Sequence, residues 1–144
     1  KQYKEASEDI EAILAQEPDE ESALLLRGKI SEATGNTAKA EEDYRHVSEV
    51  NPFNEQAFLS LGRLYLSQGK PTEAIGLLDE AIELNPDSPA LYHERGRAKL
   101  LNGDKEGSVE DLKKELELNP KEAEAFNGEY NNKPLVQTGD ILGL

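Results

Sequence analysis

The sequence predicts an all-α solenoid of stacked antiparallel helix pairs, because one unit the size of a helix pair recurs along the chain. Proline recurs every 34 residues, and glycine recurs at the same interval at two further positions. Between these markers, apolar residues follow the three-and-four spacing of amphipathic helices. The recurring prolines are Pro18, Pro52, Pro86 and Pro120.

Placing each proline at position 32 divides the chain into units. In a full unit, a first helix (helix A) ends at the glycine of position 15, because glycine adopts the left-handed conformation at least cost. A second helix (helix B) follows and ends before the proline, which cannot continue it. The predicted divisions are residues 1–18 (the second helix of a truncated unit), 21–54, 55–88 and 89–122 (full units), 123–132 (a partial capping helix) and 133–144 (a C-terminal tail).

Apolar and small residues predict the packing face of each helix. Positions 4, 8 and 11 share one face of helix A, and glycine at position 8 lets a neighbouring backbone approach closely. Positions 20, 24, 27 and 30 share one face of helix B, which Ala6, Ile10 and Ile13 continue in the truncated unit. The columns hold Leu24, Phe58 and Tyr92 (position 4); Gly28, Gly62 and Gly96 (position 8); Gly35, Gly69 and Gly103 (position 15); Ala40, Ala74 and Ser108 (position 20); Tyr44, Leu78 and Leu112 (position 24); and Val50, Leu84 and Leu118 (position 30).

These columns closely resemble the pattern of the tetratricopeptide repeat (TPR) family, over roughly residues 1–126. The resemblance implies a right-handed superhelix in which the A helices line a concave groove and the B helices form the convex wall. Five residues depart from the pattern. Arg27 and Arg95 stand at position 7, and Ser31 and Lys99 stand at position 11. Glu115 replaces the small residue of position 27, which puts close packing beyond the third helix B in doubt and favours an array that ends there.

Composition excludes several classes of protein. Thirty acidic and 16 basic residues give a net charge of −14, which disfavours nucleic acid as a partner. The absence of cysteine excludes disulfides, thiolate metal sites and thiol nucleophiles. No apolar run reaches the roughly 18 residues of a membrane span, so we expect a soluble, acidic protein without membrane insertion. The compartment stays open.

The predicted partner-binding surface is the face of helix A at positions 5, 9 and 12, about 100° from the packing face. Position 9 is basic in all three full units, and leucines flank it. Cations beside apolar side chains suit an acidic, partly apolar peptide, although three solvated cations without a binding role remain an alternative. The predicted partner-binding residues are Leu25, Lys29, Glu32, Leu59, Arg63, Leu66, His93, Arg97 and Leu100.

The sequence therefore predicts a non-catalytic scaffold or adaptor that binds a protein or peptide segment in the groove. No catalytic, cofactor-binding or metal-binding set is predicted: His46 and His93 lack a second histidine, and phosphate and calcium loops are missing. Two alternatives stay open. The chain can be the TPR portion of a larger enzyme, or of a secretion or assembly component, that presents substrate to a catalytic domain. It can also self-associate through the truncated N-terminal unit or the C-terminal tail.

Overall fold

A computed structural model describes residues 2–120, which contain seven α-helices and no strand. The predicted all-α fold is confirmed. The end of the unit at 89–122, the predicted cap at 123–132 and the tail at 133–144 lie outside the described residues. Within residues 2–120, every helix is too short or too polar to cross a membrane. The helices are α1 (Gln2–Gln16), α2 (Glu21–Ala33), α3 (Thr37–Val50), α4 (Glu55–Ser67), α5 (Pro71–Leu84), α6 (Pro89–Leu101) and α7 (Lys105–Leu118).

A glycine with positive φ closes each turn from an A helix to a B helix. Gly35, Gly69 and Gly103 have φ angles of 85°, 72° and 86°, in the region that side chains with a Cβ rarely adopt. Asn36 and Asp104 then cap α3 and α7, since each side chain accepts a hydrogen bond from a backbone N–H three residues on. The role predicted for glycine at position 15 is confirmed.

The chain divides into two units by its internal contacts, Lys1–Leu64 and Tyr65–Leu144. In the first unit, α2 packs against α1 on one side and α3 on the other. Burial of apolar side chains between these helices supplies the main stabilisation, roughly 25 cal/mol per Å² removed from water. The buried cluster consists of Ile10, Leu14, Ala23, Leu24, Val47 and Ala57.

Gly28 lies against the aromatic ring of Tyr44. A Cβ added at Gly28 would come within 2.9 Å of Tyr44 Cδ1, closer than packed atoms approach. The close neighbour is therefore a side chain, and the expectation of a neighbouring backbone is wrong for this unit. The reason is the size of Tyr44, which occupies the position where the other full units have leucine.

In the second unit, α6 packs against both α5 and α7. Ala74, Leu78 and Ala81, at positions 20, 24 and 27 of α5, are buried as predicted. The prediction is wrong for position 30, because Leu84 of α5 is 37% exposed and Val50 of α3 is 42% exposed. Buried apolar residues of these helices are Ala74, Leu78, Ala81, Ile82, Leu91, Tyr92, Ala98 and Leu112.

Candidate interaction surface on the A helices

The residues predicted to bind a partner differ in their exposure. Lys29, Glu32 and Arg63 are exposed to solvent. Leu59 is only 2% exposed, so its side chain is part of the core and is not offered to a ligand as the sequence analysis expects. Helical spacing alone cannot detect this, because it gives a residue's direction and not what lies over it. The remaining five are half-buried: Leu25, Leu66, His93, Arg97 and Leu100.

On α2, the predicted face combines an apolar, a basic and an acidic side chain. Leu25 packs partly against the buried cluster of the first unit. Lys29 has no hydrogen-bond or ion-pair partner among residues 2–120. Burial raises the pKa of the Tyr44 hydroxyl, and the negative charge of nearby Glu32 raises it further. The face therefore offers the free ammonium group of Lys29, while the Tyr44 hydroxyl on α3 stays neutral.

On α6, the predicted face is already engaged by acidic side chains. His93 Nδ1 lies 3.0 Å from Glu115 Oε1 and 3.1 Å from Oε2. Glu115 is 4% exposed, so this contact gives a buried carboxylate the polar partner that it needs. Arg97 Nη1 lies 3.9 Å from Glu94 Oε2, which partly neutralises this guanidinium. Glu115, the residue at position 27 of α7, therefore contacts α6 through His93.

Arg27 holds α2 between its two neighbouring helices. Its Nε and Nη2 donate to the two carboxylate oxygens of Asp43 on α3, at 2.9 and 2.8 Å. Its Nη1 donates to both oxygens of Glu11 on α1, at 3.1 Å. The hydrogen bonds with Asp43 chiefly raise the pKa of Arg27 above its ordinary value.

Arg95 repeats this arrangement on α6. Its Nε and Nη2 donate to Asp111 on α7 at 2.9 and 2.7 Å, and its Nη1 donates to Asp79 on α5 at 3.0 Å. Lys99 Nζ also reaches Asp111, at 3.2 Å. The guanidinium lies over the ring of Tyr92, 5.5 Å from its centroid, where a cation is attracted by the aromatic face.

In the sequence, Arg27 and Arg95 stand out only as departures from the family pattern. Their partners are acids 16 residues before and 16 residues after each arginine, a spacing that is visible in the sequence. The middle full unit instead carries Leu61 and Leu77 at the positions of the arginine and the later acid. The sequence therefore carries an arginine and an acid at these positions in the first and third full units and two leucines in the unit between them.

Residues 2–120 hold no group of three or more metal-ligating side chains suited to a metal ion.

Comparison with known proteins decides the family. A family model described as Tetratricopeptide repeat matches residues 1–50, 32–89 and 59–123. The chain belongs to the tetratricopeptide repeat family. The resemblance drawn from the repeat columns is thereby confirmed, and members of this family are generally non-catalytic interaction modules. No curated protein matches the chain.

Solved structures share the TPR fold. A MamA crystal structure superposes with a TM-score of 0.70 at 20% identity, over 92% of this chain and 70% of that protein. The first TPR domain of human RPAP3 superposes with a TM-score of 0.65 at 21% identity, over 81% of this chain and 99% of that domain. A Thermobaculum terrenum O-GlcNAc transferase mutant gives 0.62 at 27% identity, over 76% of this chain and only 21% of the transferase.

Proposed function

We propose that this TPR chain is a non-catalytic adaptor that binds an acidic, partly apolar protein or peptide segment through positions 5, 9 and 12 of its A helices, with the exception of the buried Leu59. One observation carries the proposal. Each A helix has a cation at position 9, and those on α2 and α4, Lys29 and Arg63, are exposed. The arginines at position 7, Arg27 and Arg95, are instead fixed in contacts between helices. The A helices thus carry one set of cations that join helices, at position 7, and a second set at position 9 that we propose as the ligand-binding set.

The chemistry of this face favours carboxylates together with apolar side chains. Lys29 and Arg63 suit charge-assisted hydrogen bonds to acidic side chains of a ligand. Leu25, Leu66 and Leu100 are half-buried, so each keeps apolar surface that a ligand can cover. Arg97 contributes less, because Glu94 already lies 3.9 Å from it. The groove that the family resemblance implies stays a prediction.

The test reverses the charges at position 9 and compares two libraries of immobilised peptides, one acidic and one basic, with equal apolar content. The variant Lys29→Glu, Arg63→Glu, Arg97→Glu should lose binding to the acidic peptides. The matched control is Lys70→Glu, Lys105→Glu, Lys113→Glu, which changes the net charge equally at exposed positions away from the A helices. The control should keep binding, provided that both variants retain the parent's helicity and urea midpoint.

Equal loss in the two variants would mean that overall charge, and not position 9, governs the interaction. Equal binding by all three proteins would move the site to another surface. Preference of the parent for the basic library would contradict the proposed ligand chemistry.

A second candidate is a substrate-presenting portion of a larger enzyme. The observation that favours it is the 27% identity to the O-GlcNAc transferase mutant, of which this chain covers 21%. An antibody raised against residues 1–144 would test it in extracts of the source cells. A band far heavier than the 15.9 kDa of this chain would support the candidate, and a band at that mass would oppose it.

A further inference from the structure

Phe53 is an aromatic side chain exposed to solvent in the turn between α3 and α4. It is 63% exposed, and Val50, the last residue of α3, is 42% exposed. Pro52 between them is also exposed. We call these three residues the Phe53 edge. Covering apolar surface is favourable, so a partner that buries this edge gains affinity from it.

The shape of the turn does not require the aromatic ring. The turns after α1, α3 and α5 share one backbone hydrogen bond of 3.0 to 3.3 Å, from the N–H of position 34 to the carbonyl oxygen of position 31. Position 33 is Phe53 in the turn after α3, but Asp19 and Asp87 in the other two. Both aspartates are exposed, as polar turn residues are expected to be. The same turn therefore forms with a solvated residue in place of the ring.

Side-chain hydrogen bonds fix the turn that carries Phe53. Asn51 Oδ1 accepts from the Phe53 backbone N–H at 3.1 Å. On α2, Glu21 Oε1 accepts from the side-chain amides of Asn51 at 3.0 Å and Asn54 at 2.7 Å. After α5, the side-chain amide nitrogen of Asn85 is instead buried without a hydrogen-bond partner among residues 2–120. A turn that is fixed in advance loses little further entropy when a partner binds.

Acidic side chains lie next to the Phe53 edge. Glu49 precedes Val50 and is exposed. Asp19 lies beside α3, because its Oδ1 is 2.8 Å from Nε2 of His46, which is one helical turn before Val50. Glu17, in the same turn as Asp19, is also exposed. The Phe53 edge therefore has an acidic border.

We propose that the Phe53 edge inserts the phenyl ring of Phe53 into an apolar pocket of a partner protein whose rim carries arginine or lysine. A large apolar side chain on a rigid backbone is the kind of anchor that dominates protein interfaces. Cations on the rim complement the acidic border, which sets the orientation and speeds the encounter. The Phe53 edge shares no residue with the A-helix faces of the proposed function.

A second copy of the chain is a poor partner for this edge. The net charge of −14 makes two copies repel each other. A pocket with a basic rim is also disfavoured on a chain with 30 acidic and 16 basic residues. The partner is therefore a different protein.

The test selects binders to the immobilised 144-residue chain from a phage-displayed library of one small three-helix scaffold with randomised surface residues. We expect the main group of clones to combine apolar residues with arginine or lysine at the randomised positions. Phe53→Asp should weaken their binding at least about tenfold. This variant should keep the parent's helicity and urea midpoint, because Asp19 and Asp87 stand at the same position of equivalent turns.

Matched controls separate the ring and its border from general effects. Leu101→Asp makes the same kind of change at a residue that is 51% exposed on α6, and should leave the affinity within about threefold of the parent. Asp19→Asn combined with Glu49→Gln should weaken binding about three- to tenfold. Glu5→Gln combined with Glu8→Gln removes the same charge from exposed positions on α1 and should change the affinity less than about twofold.

Glu21 is a positioning residue for Phe53. Glu21→Ala removes the acceptor of both asparagine amides and should weaken binding about threefold or more, although the ring is still present. Glu21→Gln keeps a side-chain oxygen as acceptor and should restore most of the affinity.

The proposal would be overturned by a selection without binding clones, or by main clones that bind Phe53→Asp as well as the parent. Equal weakening by Phe53→Asp and Leu101→Asp, or clones without basic residues, would also overturn it. A dimer of the chain alone that Phe53→Asp dissociates would make a second copy the partner and would contradict the proposal. Unchanged binding of the clones by the Lys29→Glu, Arg63→Glu, Arg97→Glu variant is expected, and distinguishes the Phe53 edge from the A-helix faces.

Discussion

Replacing both Arg27 and Asp43 with leucine should leave the free energy of unfolding within about 1 kcal/mol of the parent, although each single replacement should be costly. The Asp43 carboxylate is only 1% exposed. In Arg27→Leu it loses its guanidinium partner, and the cation that remains near it is Lys39, whose Nζ lies 4.0 Å from Asp43 Oδ1. Breaking a buried ion pair in this way costs about 3 to 5 kcal/mol. Lys39 and the partial exposure of Arg27 place the expected loss near the lower end, about 3 kcal/mol.

Asp43→Leu should cost less, about 2 kcal/mol, because Arg27 keeps its contact with Glu11. The double variant removes both charges together and so leaves no buried group without a partner. The chain itself supplies the precedent, since Leu61 and Leu77 occupy these two positions in the middle full unit.

Urea unfolding followed by circular dichroism measures all four proteins of this double-mutant cycle, with the slope of each transition checked for equality. We expect a coupling of about 4 to 6 kcal/mol between the two sites, since the single losses sum to about 5 kcal/mol and the double variant stays within about 1 kcal/mol of the parent. If the double variant loses as much free energy of unfolding as the two single variants together, the reasoning is refuted, because Arg27 and Asp43 would then not depend on each other.

Two further predictions concern Gly28 and Tyr44. Gly28→Ala should lower the free energy of unfolding in urea by about 1 to 3 kcal/mol, because its Cβ overlaps the Tyr44 ring. Gly76→Ala is the matched control, because a Cβ added at Gly76 on α5 meets open space. This change should raise the free energy of unfolding by up to about 1 kcal/mol. Two variants that change the free energy of unfolding in the same direction would contradict the packing of Gly28 against Tyr44. Burial raises the pKa of Tyr44 above its unfolded value of about 10, so folding favours the neutral phenol. This contribution is present below about pH 10 and is lost as the pH rises further, so Tyr44→Phe should reduce the fall in melting temperature above that pH. An equal fall in melting temperature above about pH 10 for the parent and Tyr44→Phe would contradict this prediction.

The repeat allowed much of the fold to be predicted. Fixed spacing of glycine and proline determines where helices end, and these are local backbone effects that a sequence displays directly. Gly35, Gly69 and Gly103 adopt positive φ as their position requires. Family membership followed from the same columns and was confirmed by the family model.

Contacts that depend on individual side chains were less predictable. Leu59 has the direction of a surface residue yet is buried, because cover comes from elsewhere in the fold. Arg27 and Arg95 looked like exceptions, although acids 16 residues away on both sides explain them once the helices are placed. From the sequence, Glu115 was expected to weaken close packing beyond the third helix B. Its contact with His93 shows how α7 accommodates this buried acid.

The most direct test of the proposed function is an NMR titration of the isotopically labelled chain with an acidic, partly apolar peptide selected from the library. We expect the largest shifts on α2 and α4 around Lys29 and Arg63, with smaller shifts around Arg97. The Arg27 and Arg95 side chains should stay unperturbed, because their contacts are made within the fold. Shifts concentrated on the B helices, with Lys29 and Arg63 unchanged, would contradict binding through the A-helix faces.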